Sequence, residues 1–327
     1  MLNREEAIQK MNQYGKEKRP FFFLIDFLQL QPVVLALDEI NTQAIQFKIP
    51  QCCSQKEENS ATSNISITHK GYSQETYNTQ IEKVKSHIGQ GNSFLVNLTC
   101  QTPIELNKSL EEVYFSSQAK YKLLYKDEFV VFSPETFITI NNGEIASYPM
   151  KGTIDANIPN AREIILQNPK EKAEHYTIVD LIRNDLSMVA DEVNVAKFRY
   201  IDEITTDSGT LLQVSSEIKG KLPINYTEHI GDILFKLLPA GSISGAPKNK
   251  TIEIILDTET YDRGYYTGVF GVFDGENIDS AVMIRFIEKN NEGFVYKSGG
   301  GITAFSNAED EYNEMLKKIY VPISRKH

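Results

Sequence analysis

Four glutamates stand in two pairs whose spacing suits metal chemistry. Glu171 and Glu174 lie three apart in KEKAEHYTIVDLIRND (170–185), and Glu311 and Glu314 repeat that spacing in AEDEYNEMLKK (308–318). Residues three or four apart share a helix face, and Glu171, Glu174, Ile178, Leu181 and Asp185 succeed one another at steps of three, four, three and four. The first pair therefore shares its face with apolar residues, where a solvated helix would hold the charges opposite. The second pair sits at the margin of the stripe made by Tyr312, Met315, Leu316 and Ile319, with Lys318 one turn beyond Glu314. Two such helices could supply oxygen ligands to a divalent cation, and carboxylates without His or Cys favour Mg2+ over zinc. Ordinary surface charge, paired with Lys170 or Lys172, is the competing reading of the first pair.

A lysine, Lys151, stands in SYPMKGT (147–153) between a Pro-Met step and a Gly-Thr step. Proline fixes the backbone before it and glycine frees the backbone after it, so the turn can hold the amine in a set direction. That is the placement a covalent nucleophile needs, although most lysines in turns are simply solvated. SGGGI (298–302) at a strand end can aim backbone N–H groups at an anion, or it is only a glycine bulge. Arg285, in the apolar run VMIRFIE, reads as a strand arginine with a paired anion. AGSISGAPK (240–248) lacks the spacing of a phosphate loop, and no Ser or Thr follows its lysine.

These groups need elements to hold them. Apolar runs at 21–28 and 33–37 predict strands after a short helix, and the polar stretch 51–69 predicts a surface loop or linker. We therefore divide the chain into a shortened strand-containing N-terminal segment and linker, 1–69, and a catalytic region, 70–327, forming one compact unit together. Helices are predicted from Tyr77 to the glycines at 89 and 91, over 109–119, 169–189, 227–238 and 249–257, and over 308–320. Strands are predicted at 94–102, 121–125, 129–132, 197–201 and 211–218, with a hairpin at Asn142-Gly143 and a meander across 265–302. Strands in runs joined by tight turns predict an α+β fold of mostly antiparallel sheets with helices outside.

Composition narrows the function. The chain of 327 residues has 41% hydrophobic content, enough for a large core, and a net charge of -10. That charge disfavours nucleic acid or an anionic membrane as partner, while a small anionic substrate would need a few placed cations. No apolar run approaches the roughly 20 residues of a membrane span, and the opening MLNREEAIQK lacks a signal-peptide core. Cys52, Cys53 and Cys100 form no zinc or disulfide pattern, which predicts a cytoplasmic protein.

Taken together, FSPE (132–135), PMKGT (149–153), 170–186, PAGSISGAPK (239–248), RGYYTGVFG (263–271), IRF (284–286), SGGGI (298–302) and 308–318 resemble the chorismate-using enzymes. That family includes the anthranilate, aminodeoxychorismate, isochorismate and salicylate synthases. The resemblance implies an α+β fold, Mg2+ as cofactor and chorismate as substrate. By position it implies Glu174 and Glu314 as metal ligands with Glu171 and Glu311 behind them, and Glu135 as general acid near the departing hydroxyl. Arg285, Tyr266, Ser242, Gly299, Gly301 and Lys318 would hold the substrate.

Within the family, aminodeoxychorismate synthases carry lysine in a Pro-x-Lys-Gly-Thr motif where anthranilate and isochorismate synthases usually have alanine. The resemblance thus implies that Lys151 attacks ring carbon 2 of chorismate, and that ammonia then adds at carbon 4, for which the amine must be neutral. Leu95 stands where isochorismate and salicylate synthases have a water-activating lysine and many ammonia-using relatives have glutamine; leucine activates no water. Gln213 replaces a histidine frequent in relatives. No glutaminase nucleophile surrounds the cysteines, so a separate glutamine amidotransferase subunit is the implied source of ammonia. The alternatives are an anthranilate synthase component I and a catalytically silent chorismate-binding subunit.

Overall fold

Two nine-stranded antiparallel sheets stacked on one another, with helices on both outer sides, build the computed structural model, which describes residues 2–54, 64–206 and 209–323. Eight α-helices occur among those residues: α1 (Arg4–Lys16), α2 (Gln74–Gly89), α3 (Leu110–Ser116), α4 (Ala161–Gln167), α5 (Pro169–Ser187), α6 (Ile230–Leu237), α7 (Lys248–Thr258) and α8 (Ala308–Lys317). Several start where the sequence supplies a cap. Asn3 and Ser109 form capping boxes with Glu6 and Glu112, while Ser73, Asn168 and Asn307 accept first-turn N–H groups. No helix of the described residues is long and apolar enough to cross a membrane.

The first sheet runs Met150–Asp155, Gly209–Lys221, Glu144–Ser147, Thr136–Asn141, Ile278–Val282, Val269–Phe273, Phe21–Ile25, Val33–Ala36, and Asp191–Thr206 also pairs with Gly209–Lys221. The second runs Gly245–Ala246, Leu95–Leu106, Gly293–Ile302, Phe286–Asn290, Phe129–Ser133, Tyr121–Tyr125, Ile45–Ile49, Cys52–Cys53, with Ile67–His69 along Leu95–Leu106. The strand Phe21–Ile25 shows how the layers form. Its side chains alternate, so Phe21, Phe23 and Ile25 join the core under α1, α2 and α6, while Phe22 and Leu24 join the core between the sheets. The N-terminal strands thus hydrogen-bond into both sheets, Phe21–Ile25 beside Val269–Phe273 and Ile45–Ile49 beside Tyr121–Tyr125.

Three sequence expectations change. The predicted loop 51–69 contributes edge strands at Cys52–Cys53 and Ile67–His69, while its residues 55–63 lie outside those described. Helix 109–119 is shorter, ending at Ser116. The run 278–290 is not one strand: Ile278–Val282 belongs to the first sheet and Phe286–Asn290 to the second. Arg285 therefore lies in the crossover between sheets, with φ of 57°, and not within a strand. Periodicity could not reveal this, because an apolar run that changes sheets stays apolar.

One buried ion pair ties together segments distant in sequence. Arg263 and Glu259 side chains are each 2% exposed and form a fork with N–H···O contacts of 2.8 and 2.6 Å. The same guanidinium donates to the carbonyls of Asn97 (2.7 Å) and Ile243 (3.0 Å), and Glu259 accepts the backbone N–H of Thr99 at 2.8 Å. Removing one partner of such a pair leaves a buried charge without compensation. Arg263→Met should lower stability by about 3–5 kcal/mol, read as an earlier urea midpoint with an unchanged slope; a wild-type midpoint would show that the network holds nothing together.

Candidate active site

Lys151 owes its position to a register break. The strand Met150–Asp155 pairs with Gly209–Lys221, Met150 opposite Ser215 and Thr153 opposite Gln213, and the pairing shifts between them. A bulge of this kind re-aims the side chains it carries. Lys151 thus sits in a bulged strand and not in a free turn, and Gly152 adopts φ of 89°, which glycine alone takes without strain. Its amine meets Glu174 at 2.6 Å.

Helix α5 brings the carboxylates. Asn168 caps it by accepting the N–H of Glu171 at 3.1 Å, and Glu174 follows one turn later, 5% exposed. Oε2 of Glu174 meets Lys151, while Oε1 is buried with no hydrogen-bond partner. A Cβ placed on Gly152 would lie 3.3 Å from Glu171 Oε2, so the first pair and Lys151 share one locality. Helix α8 supplies the second pair: Glu311, buried, accepts the Ser306 hydroxyl at 2.8 Å, and Glu314 pairs with Lys318 at 2.8 Å. Lys318 also donates to the carbonyl of Gly299 at 2.8 Å.

The glycine strand lies between these groups. Gly293–Ile302 pairs with Phe286–Asn290 only as far as Lys297, so from Ser298 onward it has a neighbour on one side, Leu95–Leu106. The glycines are laddered strand residues and not a terminal turn, and their open edge leaves alternate backbone groups facing the cleft. A Cβ on Gly300 would stand 3.6 Å from both Glu311 Oε2 and Lys318 Nζ and 3.9 Å from Glu314 Oε1; one on Gly301 would stand 3.0 Å from Leu95 Cδ1 and 3.9 Å from Lys151 Nζ. Leu95 and Lys151 thus face one spot, and Gln213 lies beside the bulge opposite Thr153.

Glu135 accepts a short hydrogen bond from the Ser242 hydroxyl. Burial raises its pKa, which favours the protonated acid, against the pull of Ser242, Arg285, Lys318 and Lys151. Burial lowers the Lys318 amine, opposed by Glu314. Burial also pushes Lys151 down, but Glu174, Glu171 and Glu314 together outweigh it, and the pKa ends above the ordinary lysine value. The expected neutral amine is therefore not what the protein alone sets up; Lys151 is a cation held by carboxylates. Arg285 stacks over the Tyr320 ring, and among the described residues no carboxylate bridges it. Tyr266 is buried with its ring edge-on to Phe286.

The structure brings all twelve expected residues into one region, though no three His, Cys, Asp or Glu side chains among the described residues converge as a ready metal cage. Sequence reasoning passed over His175. It is fully buried, with Nε2 2.6 Å from Ser216 Oγ, and burial with Arg199 and Lys151 nearby pulls its pKa to about 4, so it is neutral. Its place beside Glu174 was the available signal. The half-buried pair of Asp185 and Lys248, at 2.9 Å, was also passed over, although Asp185 ends the stripe that carries Glu171 and Glu174.

A family model described as chorismate binding enzyme matches residues 28–324. A Haemophilus influenzae protein named uncharacterized PabA-like protein is 51% identical over 98% of this chain and 97% of its own length. Aminodeoxychorismate synthase component 1 of Bacillus subtilis is 31% identical, covering 76% of this chain and 55% of that protein. Anthranilate synthase component 1 of the same organism is also 31% identical, covering 79% and 52%. The chain thus spans about half the length of these two synthases. Among solved structures, anthranilate synthase component I from Streptococcus pneumoniae superposes with a TM-score of 0.67 at 26% identity, over 80% of this chain and 60% of that one.

The glycine strand can be tested directly. A Cβ on Gly299 would come within 2.2 Å of the Leu98 carbonyl oxygen, whereas Gly300 has its nearest neighbours at 3.6 Å. Gly299→Ala should therefore cost about 1–3 kcal/mol and lower the melting temperature, while Gly300→Ala leaves it near wild type. Equal melting temperatures for the two variants would contradict the close strand approach.

Proposed function

The chain belongs to the family of chorismate binding enzymes, and on that premise we propose that it aminates chorismate with ammonia to 4-amino-4-deoxychorismate. The observation that carries this reading is Lys151 itself, a lysine that a bulge aims at the locality of Glu174, Leu95 and Gly301. In the proposed reaction the free amine of Lys151 attacks ring carbon 2, both conjugated double bonds of the ring shift toward carbon 4, and the hydroxyl on carbon 4 leaves as water with a proton from Glu135. Ammonia then bonds to carbon 4, both double bonds shift back, and the bond from carbon 2 to Lys151 breaks, returning the amine. The new ammonium on carbon 4 gives a proton to Glu135. The sum is one ammonia in and one water out. Two displacements replace one difficult step, and the raised pKa of Glu135 keeps its proton available for the first.

Arg285, Lys318, Tyr266 and the open edge at Gly299 and Gly301 are the groups we assign to the substrate carboxylates. Arginine without a carboxylate partner suits a planar anion. Glu174 and Glu314 would hold Mg2+, with Glu171 and Glu311 behind them. The buried and unpartnered Oε1 of Glu174 fits a hard cation. Bound there, Mg2+ would offset the carboxylates facing an anionic substrate and compete with the Lys151 ammonium for Glu174.

Ammonia would come from a glutamine amidotransferase subunit. Cys100 is buried, and burial with Glu259 nearby raises its thiol far from a reactive thiolate; burial also raises Cys52. With Cys53 they are free thiols, in keeping with a reducing cytoplasm.

The test is product identity with chorismate, ammonium and Mg2+: aminodeoxychorismate, converted to 4-aminobenzoate by an added lyase, is expected. Fluorescent anthranilate would overturn the assignment, and identity to the two Bacillus synthases is equal, so that outcome is the one to look for. Lys151→Ala should reduce turnover by at least about 100-fold; unchanged turnover removes the covalent role. Separately, Glu174→Gln and Glu314→Gln should each raise the Mg2+ concentration needed for half-maximal rate by about 10–100-fold, and wild-type metal dependence in both would remove the ligand assignment.

A further inference from the structure

A small void adjoins the site on the far half of α5. Glu135 and Ser242, the hydrogen-bonded pair of the site, form part of its wall, together with Ile182 and Asp185 of α5, Ala240 and Tyr148. Lys151, Glu174, Arg285 and Lys318 do not line it. Its volume is about 20 Å³, enough for one water-sized molecule and far too little for a ring with its substituents. Most of the lining is apolar, and its polar members are the carboxyl groups of Glu135 and Asp185 and the hydroxyls of Thr136, Ser147, Tyr148 and Ser242. Ser147 and Ser242 already donate, to the Phe137 carbonyl and to Glu135, which leaves their oxygens as acceptors.

We propose that this void is a holding site for ammonia, the second substrate, opening onto Glu135; the inference rests on the amination reading above. Ammonia has the size of water but three N–H donors, so a small apolar chamber with two carboxyl groups and the oxygens of Ser147 and Ser242 in its wall suits it. The place also suits the chemistry. Glu135 reaches both the void and the reaction locality, and once its proton has left with the hydroxyl it is a carboxylate able to accept an N–H from the incoming nucleophile. On the other side of the site stands Leu95, which offers no hydrogen bond to orient ammonia. Delivery from the Glu135 side brings ammonia to the carbon the hydroxyl has just vacated. Lys248, donating to Asp185 at 2.9 Å and to the Leu237 carbonyl at 2.9 Å, fixes the acidic wall.

The experiment measures initial rates of chorismate consumption against ammonium chloride, and separately against methylammonium chloride. Ile182→Phe and Ala240→Val fill the void. Each should raise the half-saturating ammonium concentration about tenfold or more, with the half-saturating chorismate concentration unchanged. Ile182→Ala enlarges the void and should let methylamine serve, giving an N-methyl product by mass spectrometry that the wild type does not form. If filling raises the chorismate requirement instead, or leaves ammonium dependence as in wild type, the void holds only structural water and the inference falls. Should Ile182→Phe fail to fold, Ala240→Val and the methylamine arm decide it. Product identity judges the amination reading, ammonium half-saturation judges the void, and turnover independent of ammonium would overturn both.

Discussion

The constraint on which this structure depends is the gathering of like charges. Glu135, Glu171, Glu174, Glu311 and Glu314 are drawn toward one cleft, two of them, Glu174 and Glu311, nearly buried. Carboxylates in such a place cannot all stay ionised unless cations accompany them. Lys151 against Glu174 at 2.6 Å and Lys318 against Glu314 at 2.8 Å are those cations. Each lysine is held from a second direction as well, Lys151 by the strand bulge and Lys318 by the Gly299 carbonyl. The two sheets bring a bulged strand from one and a glycine strand from the other into this cleft, and the helices α5 and α8 bring the acids.

The same balance explains why the basic groups are so unequal. Lys151 faces three glutamates and its pKa rises; Lys318 feels burial and two neighbouring cations, Arg285 and Lys151, and its pKa falls. Arg285 has an aromatic ring and no carboxylate. A site built this way presents one cation already neutralised and another left for an anion. On the proposed reading, Lys151 would first have to be relieved of its carboxylate, which would couple its reactivity to the charge that metal and substrate would bring in.

Much of this was legible in the sequence where the information is local. The helices over 169–189 and from Tyr77 follow from periodicity, and the hairpin at Asn142-Gly143 from its turn residues, with both in the left-handed region. What was not legible is set by partners distant in the chain. The bulge at Lys151 exists only relative to Gly209–Lys221, and the departure of Arg285 from strand geometry only relative to two different sheets. His175 looked like one more helical residue until Ser216, forty-one positions away, was placed against it. The rise in the Lys151 pKa follows from three glutamates on two helices, a sum that no single motif contains.

An acidic chain of net charge -10 that receives an acidic substrate meets repulsion before it meets any contact. The arrangement answers this locally and not by composition. Backbone groups on the free edge at Gly299 and Gly301 carry no net charge, so they can face an anion without adding to the protein's own titration. On the proposed reading, ionised side chains would then be needed only where direction matters, at Arg285 and Lys318. The same economy holds for the nucleophiles: Leu95 denies one side of the site a hydrogen bond, while Glu135 and Ser242 offer one on the other. Selectivity between water and ammonia would then arise from where a small molecule can be held, since both are the same size and differ chiefly in how many acceptors they need.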